Sequence, residues 1–169
     1  MNQGNLVLCG FMGCGKTSVG KRVAKLIGWE FCDLDQYIEK KEGMTISEIF
    51  QKYGEKSFRQ RETQAVREVA QRRDLVVACG GGTVLSEKNV AAFHRGNGII
   101  LYLQVPLAAL QERLKADTQR PLLQTPNRRE VIARLYEERC PLYEAAADQV
   151  VFAGAPAVVV AKEIGRRFL

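Results

Sequence analysis

A glycine-rich segment near the start of the chain has the residue types and spacing of a phosphate-binding loop. Residues 10–17 read Gly-Phe-Met-Gly-Cys-Gly-Lys-Thr and fit the pattern G-x-x-x-x-G-K-[ST]. In such a loop backbone N–H groups surround a phosphate, the lysine reaches the β- and γ-phosphates, and the hydroxyl binds Mg²⁺. A glycine-rich turn is the alternative, but the predicted strand before the segment and the helix after it favour the loop. The residues expected to bind nucleotide are Gly13, Cys14, Gly15, Lys16, Thr17 and Ser18.

Two aspartates, Asp33 and Asp35, stand at the end of the second predicted strand with Leu34 between them. Because side chains alternate along a strand, both carboxylates are expected on the same side. One can join a Mg²⁺ shell while the other faces an acceptor hydroxyl. The alternative is a helix N-cap, in which Asp35 caps a helix that begins at Gln36.

Three consecutive glycines, Gly80, Gly81 and Gly82, directly follow the third predicted strand. Because they lack side chains, they leave backbone N–H groups open to a ligand at the carboxyl end of the strand, where parallel sheets bind their ligands. A flexible connector to the helix that starts at Ser86 is the alternative.

Two arginines on predicted helices are further candidates for contacts with an anion. Arg59 has Glu62 three residues later on the same helix, where an ordinary surface ion pair is the default interpretation. Arg139 lies on the long helix just before Pro141, where a cation that compensates the helix dipole is the default. Their residue types alone do not single them out.

The polar, aperiodic segment from 116 to 127 contains Arg120, and Arg113 comes shortly before it. A cationic loop above a phosphate site is typical of a closing lid, here approximately residues 112–127, that brings charge to a transferred phosphoryl group. A solvated loop explains the segment equally well. The pairs Arg128-Arg129 and Arg166-Arg167 and the lone His94 are expected on solvated helix faces.

Strands that alternate with helices must position these residues. Each predicted strand is apolar throughout, which favours an α/β fold with a parallel sheet covered on both faces and ligands beyond the carboxyl ends of the strands. The predicted strands are Asn5–Cys9, Trp29–Cys32, Leu75–Cys79, Gly98–Leu103 and Gln149–Phe152. The predicted helices are Lys16–Ile27, Gln36–Lys41, Ile46–Tyr53, Glu55–Arg72, Ser86–His94, Pro106–Lys115, Arg128–Ala146 and Pro156–Phe168.

The composition indicates one globular domain over residues 1–169. Hydrophobic residues make up 46% and charged residues 26% of the chain, which excludes collagen-like, disordered and disulfide-scaffold classes. The net charge of +6 suits anionic ligands such as phosphates, carboxylates or nucleic acid. The five cysteines include no C-x-x-C pair, and the single histidine cannot complete a usual zinc pattern, so we expect reduced thiols. We find neither a signal peptide nor the ~18-residue apolar run of a membrane span, and we expect a cytoplasmic protein.

Six motifs together resemble the shikimate kinase family and cover nearly the whole chain. In chain order they are Gly10–Thr17, Asp33-Leu-Asp35, Phe58-Arg59-Gln-Arg-Glu62, Gly80-Gly81-Gly82, Arg120-Pro-Leu-Leu and Arg139-Cys-Pro-Leu-Tyr143. The resemblance implies a three-layer αβα phosphate-loop kinase with five parallel strands in the order 2-3-1-4-5. It also implies transfer of a phosphoryl group from MgATP to the 3-hydroxyl of shikimate, a step in chorismate and aromatic amino acid synthesis.

The resemblance also implies a role for each matched residue. Asp35 contacts the reacting hydroxyl, Asp33 joins Thr17 at Mg²⁺, Glu62 steadies Arg59, and the lid residue Arg120 acts with Lys16 on the ATP phosphates. The residues that bind shikimate are Asp35, Arg59, Gly80, Gly81, Gly82 and Arg139. The family often has an arginine near the adenine, just before the last helix, but residues 152–156 contain none. We therefore expect adenine contacts from Pro156 and Arg113.

Other functions remain open at this point. A gluconate kinase or another small-molecule kinase of the same fold is the closest rival. A nucleotide-binding switch without an acceptor is a different class, although the chain has no N-K-x-D motif for guanine. Nucleic-acid binding is disfavoured because the positive residues are dispersed and form no known reader motif. Nothing in the chain demands a dimer, so we expect a monomer.

Overall fold

The computed structural model describes residues 4–169, which form one parallel sheet surrounded by helices. The strand order is β2-β3-β1-β4-β5, and all pairings are parallel. The predicted fold class and strand order are therefore confirmed. The strands are β1 (Leu6–Cys9), β2 (Glu30–Asp33), β3 (Leu75–Ala78), β4 (Ile99–Gln104) and β5 (Gln149–Phe152).

Within residues 4–169, seven helices connect and cover these strands. Helix α1 packs against α7 and the first three strands, while α3 packs between α2 and α4. The helices are α1 (Lys16–Ile27), α2 (Leu34–Glu42), α3 (Ile46–Ala70), α4 (Glu87–Arg95), α5 (Leu107–Leu114), α6 (Arg128–Ala146) and α7 (Ala157–Phe168). Short 3₁₀ turns at Thr83–Leu85 and Pro121–Leu123 precede α4 and α6.

The sheet centre is more apolar than its edges. Strands β1 and β3 are buried along their whole length, as the sequence predicts. The expectation that every strand is apolar and covered is wrong for the edge strands. Glu30 at the start of β2 is exposed, and Phe152 at the end of β5 is 63% exposed. Each edge strand has a neighbour on one side only, so it is covered less completely than the centre.

Local signals set the shape of α3, which carries one of the candidate arginines. It begins at a capping box in which the Thr45 hydroxyl accepts from the Glu48 N–H while the Glu48 carboxylate accepts from the Thr45 N–H. At Gly54 the backbone leaves helical geometry with φ 82° and ψ 174°, values that essentially only glycine adopts. The two predicted helices separated by Gly54 thus form one kinked element.

The cysteines and the hydropathy of the helices agree with the expectations from sequence. All five cysteines are free thiols, and four of them are buried. Across residues 4–169 no helix combines the length and the apolar character needed to cross a membrane.

Candidate active site

A cavity of about 380 Å³ opens at the carboxyl ends of the three strands β1, β2 and β3. This is the edge where a parallel sheet of this class binds its ligands. The cavity brings together most of the phosphate loop, both predicted aspartates, two of the three glycines and the predicted lid arginine. Its lining residues are Met12, Gly13, Gly15, Lys16, Thr17, Ser18, Asp33, Asp35, Cys79, Gly80, Gly81 and Arg120.

The phosphate loop connects β1 directly to the N-terminus of α1, as the motif requires. Gly13 and Gly15 have positive φ angles of 78° and 96°, a conformation that side chains other than glycine adopt rarely. The Lys16 ammonium donates to the carbonyl of Gly10 at 2.7 Å and to that of Phe11 at 3.2 Å. These bonds keep the cation beside the loop and within the cavity.

Thr17 and Asp33, the two predicted metal ligands, are adjacent. The Thr17 hydroxyl donates to Asp33 Oδ2 at 3.4 Å. The other Asp33 oxygen accepts from the backbone N–H of Gln36 at 3.0 Å and caps α2. Two hard oxygen ligands therefore face the cavity close to the phosphate loop.

The predicted local geometry around the two aspartates is wrong in one respect. The strand ends at Asp33 and Leu34 already belongs to α2, so strand alternation does not align the two carboxylates. The sharp turn from strand to helix brings Asp35, in the first helical turn, to the same cavity as Asp33. The N-cap is Asp33 and not Asp35, because only a residue just outside the helix can accept from the free N–H groups.

Asp35 lines the cavity, and its carboxylate lies against Gly80. Burial, followed by the neighbouring charges of Asp33 and Glu62, raises the pKa of the Asp35 carboxyl to about 6, against the opposing effect of Lys16. A carboxylate with a pKa near neutrality is suited to accept a proton from a hydroxyl at physiological pH.

The three glycines after β3 leave room for three side chains that the sequence predicts in the site. A Cβ on Gly80 would lie 2.9 Å from Asp35 Oδ1, one on Gly81 3.2 Å from Arg139 Nη1, and one on Gly82 2.6 Å from the Arg59 guanidinium. The segment is therefore more than a flexible connector. Its backbone forms the wall on which Asp35, Arg59 and Arg139 converge.

A buried carboxylate orients Arg59. Glu62 is 1% exposed and accepts from Arg59 Nη1 at 3.0 Å through one oxygen and from the Thr83 hydroxyl at 3.0 Å through the other. Thr83 is fully buried, and its carbonyl accepts from the Asn89 side chain at 2.9 Å. The pair is thus not the ordinary surface ion pair that helix spacing suggests, because its acidic member is enclosed.

Tyr143, to which the sequence motif assigned no role, supports the other arginine. Its side chain is fully buried, and its hydroxyl donates to the Gly81 carbonyl at 2.6 Å. The pKa of Tyr143 is raised to about 12, mainly by burial, and the neighbouring Arg139, which also hydrogen bonds to the phenol, limits this rise. Arg139 therefore lies beside Gly81 instead of serving only as a helix-end cation.

The predicted lid is ordered by its own polar contacts. Arg120 borders the cavity, and its guanidinium pairs with Asp117, a residue whose side chain is 11% exposed. Hydrogen bonds from the backbone of Arg120 and Gln119 lower the pKa of Asp117. Arg113 donates to the carbonyl of Gly13 at 3.0 Å, so the start of the lid contacts the phosphate loop itself.

One other predicted position differs from expectation. Arg128, predicted on a solvated helix face, instead donates to the Leu123 carbonyl at 2.7 Å and to those of Leu114 and Lys115 at 2.9 and 2.8 Å. Sequence periodicity could not reveal this, because the acceptors are backbone carbonyls at the end of α5 and at the turn before α6, and a backbone carbonyl leaves no signal in residue type. Pro156 lies at the N-terminus of α7 and is not part of the cavity lining.

Comparisons with known proteins agree with this geometry. The family model described as shikimate kinase matches residues 12–168. The chain belongs to the shikimate kinase family. A shikimate kinase from Thermodesulfovibrio yellowstonii is 48% identical over 84% of this chain and 82% of its own. The structure of Acinetobacter baumannii shikimate kinase in complex with shikimate is 40% identical, with a TM-score of 0.86 over 96% of this chain and 90% of that one.

The closest rival predicted from sequence shares the fold alone. A gluconokinase from Sinorhizobium meliloti matches with a TM-score of 0.59 at 19% identity, over 95% of this chain and 88% of that chain. The much higher identity to shikimate kinases places this chain with them and not with the gluconokinase.

Proposed function

We propose that this chain transfers the γ-phosphoryl group of ATP to the 3-hydroxyl of shikimate, giving shikimate 3-phosphate and ADP. This reaction belongs to chorismate and aromatic amino acid biosynthesis. Membership in the shikimate kinase family supports the reaction. The observation that carries it within this molecule is the convergence of Arg59 and Arg139 on Gly81 and Gly82, next to Asp35.

The acceptor end of the site suits a hydroxy acid. Shikimate carries a carboxylate, and two guanidinium groups can hold it with charge-assisted hydrogen bonds. Glu62 hydrogen bonds to Arg59, and the Tyr143 hydroxyl contacts both the Gly81 carbonyl and Arg139. Binding the carboxylate at this end leaves the hydroxyl side of the ring toward Asp35.

The nucleotide end of the site consists of the phosphate loop, Arg113 and Arg120. Backbone N–H groups at the start of α1 and the Lys16 ammonium supply positive potential for the β- and γ-phosphates. Arg120 is the lid residue that would add a further charge to the transferred group. We assign the adenine end to Arg113 and Pro156, of which only Arg113 contacts the loop.

The residues present fit a magnesium ion. Thr17 Oγ1 and Asp33 Oδ2 are hard oxygen ligands 3.4 Å apart. Among residues 4–169 no cluster of three or more acidic, histidine or cysteine ligands occurs, and Mg²⁺ bound with a nucleotide typically takes one or two protein oxygens. When bound, the ion neutralises charge on the phosphates.

Asp35 would act on the acceptor hydroxyl. As the new O–P bond forms and the bond between the γ-phosphorus and the β,γ-bridging oxygen breaks, the hydroxyl proton must leave. The Asp35 carboxylate lines the cavity, and we assign to it the role of accepting or aligning that proton. Phosphoryl transfer otherwise needs positioning and charge neutralisation, which the arginines, Lys16 and the loop provide.

We further propose that the enzyme works as a monomer of one domain in the cytoplasm. Five free thiols support a reducing compartment. Sedimentation of the purified chain tests the oligomeric state directly, and a dimer would contradict it.

The function is tested by ADP release from MgATP with shikimate, gluconate or nucleoside monophosphates as acceptor. We expect turnover with shikimate and only background ADP release with the others. An Arg59→Ala, Arg139→Ala double variant should lose turnover because the acid is no longer held, while it still binds ADP. Turnover with gluconate but not with shikimate would keep the phosphate loop and reject the two-arginine pocket.

A further inference from the structure

The guanidinium of Arg128 joins the two ends of the lid. Its Nε donates to the carbonyl of Leu123 at 2.7 Å, and its Nη1 donates to the carbonyls of Leu114 and Lys115 at 2.9 and 2.8 Å. Its Nη2 lies 3.4 Å from Gln124 Oε1. One planar group thus holds three backbone carbonyls and closes the intervening segment into a ring.

These carbonyls lie where regular structure ends, and that of Leu114 also accepts from the backbone N–H of Asp117 at 3.2 Å. Leu114 is the last residue of α5 and Lys115 its C-cap, and the final carbonyls of a helix have no intrahelical donor. A positive charge at this end also compensates the helix dipole. Leu123 ends the turn Pro121–Leu123, and its side chain is fully buried. Arg128 therefore holds the start of the lid, at Leu114 and Lys115, and the point near its end, at Leu123, where the lid comes back to the helices. We call these two points the departure and the return of the lid.

The ring is linked to the phosphate site at both of these points. At the departure, a Cβ on Gly13 would lie 3.1 Å from the Leu114 side chain, so α5 packs directly on the phosphate loop. At the return, the Leu123 N–H donates to the Arg120 carbonyl at 3.1 Å. Arg120 borders the cavity between these two anchors.

We propose that Arg128 is a positioning residue for phosphoryl transfer, acting through Arg120. By holding the carbonyls at residues 114, 115 and 123 together, it sets the place from which the Arg120 side chain reaches the nucleotide. The inference rests on the proposed function, since Arg120 needs a transferred phosphoryl group on which to act. Arg128 itself is at the base of the lid and is absent from the cavity lining.

The test is a double-mutant cycle with a matched control. Arg128→Ala should lower kcat/KM for ATP about tenfold or more, because misplacement of a catalytic group by about 1 Å is that costly. The KM for shikimate should change less than about twofold, since Arg59 and Arg139 belong to other elements. Arg129→Ala removes the same charge from the next position of α6. The Arg129 side chain makes no hydrogen bond within residues 4–169, so this variant should keep nearly full activity. Arg128→Lys keeps the charge without the planar fork and should restore only part of the rate.

The cycle separates positioning from general stabilisation. In an Arg120→Ala background, the further change Arg128→Ala should cost less than about twofold, because the side chain that it positions is already gone. Effects that multiply in full would overturn the proposal. Should Arg128→Ala fail to unfold cooperatively, Arg128→Lys takes its place in the cycle.

Amide hydrogen exchange gives a readout that does not need activity. Exchange of amides in the segment 114–124 should be faster in Arg128→Ala than in Arg129→Ala, with other elements unchanged. Equal exchange in the two variants would also overturn the proposal. If the parent enzyme fails to use shikimate, the proposed function is wrong, while the exchange result still reports whether Arg128 holds the lid.

Discussion

Asp35 is half-buried, and its raised pKa affects both the stability of the fold and the pH dependence of catalysis. With a folded pKa of about 6 against an ordinary value of 3.8, the folded chain binds this proton more tightly than the unfolded chain does. The favourable contribution of Asp35 to folding is complete below about pH 3.8 and is lost as pH rises through 6. Above that pH, the folded chain retains a carboxylate in a partly desolvated site.

Replacing Asp35 by Asn should therefore separate stability from activity. We expect Asp35→Asn to raise the free energy of unfolding by about 1–2 kcal/mol at pH 8, with the gain shrinking as pH falls below 6. Urea titrations of both proteins at pH 4, 6 and 8 measure this. A gain that grows on acidification would contradict the raised pKa.

Catalysis should respond in the opposite direction. In the parent enzyme kcat/KM for shikimate should fall as pH drops below about 6, because protonated Asp35 cannot accept the hydroxyl proton. Asp35→Asn should have severely reduced kcat at every pH and nearly unchanged ATP affinity. Near-normal turnover of this variant would remove Asp35 from the reaction.

Removal of a single atom, the Tyr143 hydroxyl oxygen, tests the pocket that we propose for the shikimate carboxylate. Tyr143→Phe keeps the ring packed on Tyr102, 5.6 Å away between centroids, but leaves the Gly81 carbonyl without its donor. We expect the KM for shikimate to rise several-fold, which corresponds to about 1 kcal/mol for one hydrogen bond, with a smaller effect on the KM for ATP. Tyr136→Phe is the matched control on the same helix, since that hydroxyl donates to Val105 and not to the pocket. Equal effects of the two variants on the KM for shikimate would contradict the role of Tyr143.

At the scale of elements, the proposed role of the connection after β3 depends on its three glycines, because side chains at these positions would occupy the space of the site residues. Gly82 has a φ of −106°, which alanine also adopts, so Gly82→Ala introduces no backbone strain. Its Cβ would instead meet the Arg59 guanidinium at 2.6 Å and displace the end of a flexible side chain. We expect a small change in stability together with a rise of tenfold or more in the KM for shikimate.

Gly165→Ala provides the control for this experiment. Gly165 lies inside α7, where a Cβ would make an ordinary contact with Leu26 at 3.6 Å. Alanine is the better helix former, so this variant should be at least as stable as the parent and fully active. Steady-state kinetics and thermal melts of both variants decide the matter. An unchanged KM in Gly82→Ala would show that Arg59 does not need this space.

The sequence predicts the elements well because their signals are local. Periodicity gives the bounds of α1 and α6 as the structure has them, and Gly54 marks the kink in α3. The phosphate loop is equally local, since strand, glycines, lysine and helix are consecutive. Motif order supplies Arg59, Arg120 and Arg139, which residue type alone leaves indistinguishable from surface cations.

What the sequence does not reveal depends on contacts between distant segments. The bond from Tyr143 to Gly81 joins residues 62 positions apart, and no spacing rule connects them. Arg128 was predicted on a solvated face because its acceptors are backbone carbonyls, which leave no trace in residue type. The prediction extends strand alternation over Leu34 and Asp35, which belong to α2, because an aspartate fits both the end of a strand and the first turn of a helix.

For the molecule as a whole, we expect one cooperative unfolding transition. The residues that line the cavity come from positions 12 to 120, and Arg139, which lies against Gly81, comes from later in the chain. No single segment of the chain therefore contains the whole site. Differential scanning calorimetry should give one peak with nearly equal calorimetric and van 't Hoff enthalpies. ATP at about a hundred times its Kd should add roughly 2.7 kcal/mol and raise Tm by several degrees. Two resolved peaks would contradict a single domain.

The central position of β1 has a consequence for the order in which the molecule assembles. Leu6 pairs with Val76 on one side and with Ile99 on the other. Strand β1 therefore cannot complete its pairings until β3 and β4 have been synthesised. The Asn5 side chain likewise bonds to the Val69 carbonyl and the Leu75 N–H, far along the chain. Pairings between such distant segments form slowly because a long loop must close first. During synthesis, the phosphate loop is thus made before the strands β3 and β4 that hold β1 in place, and it acquires its shape only after them.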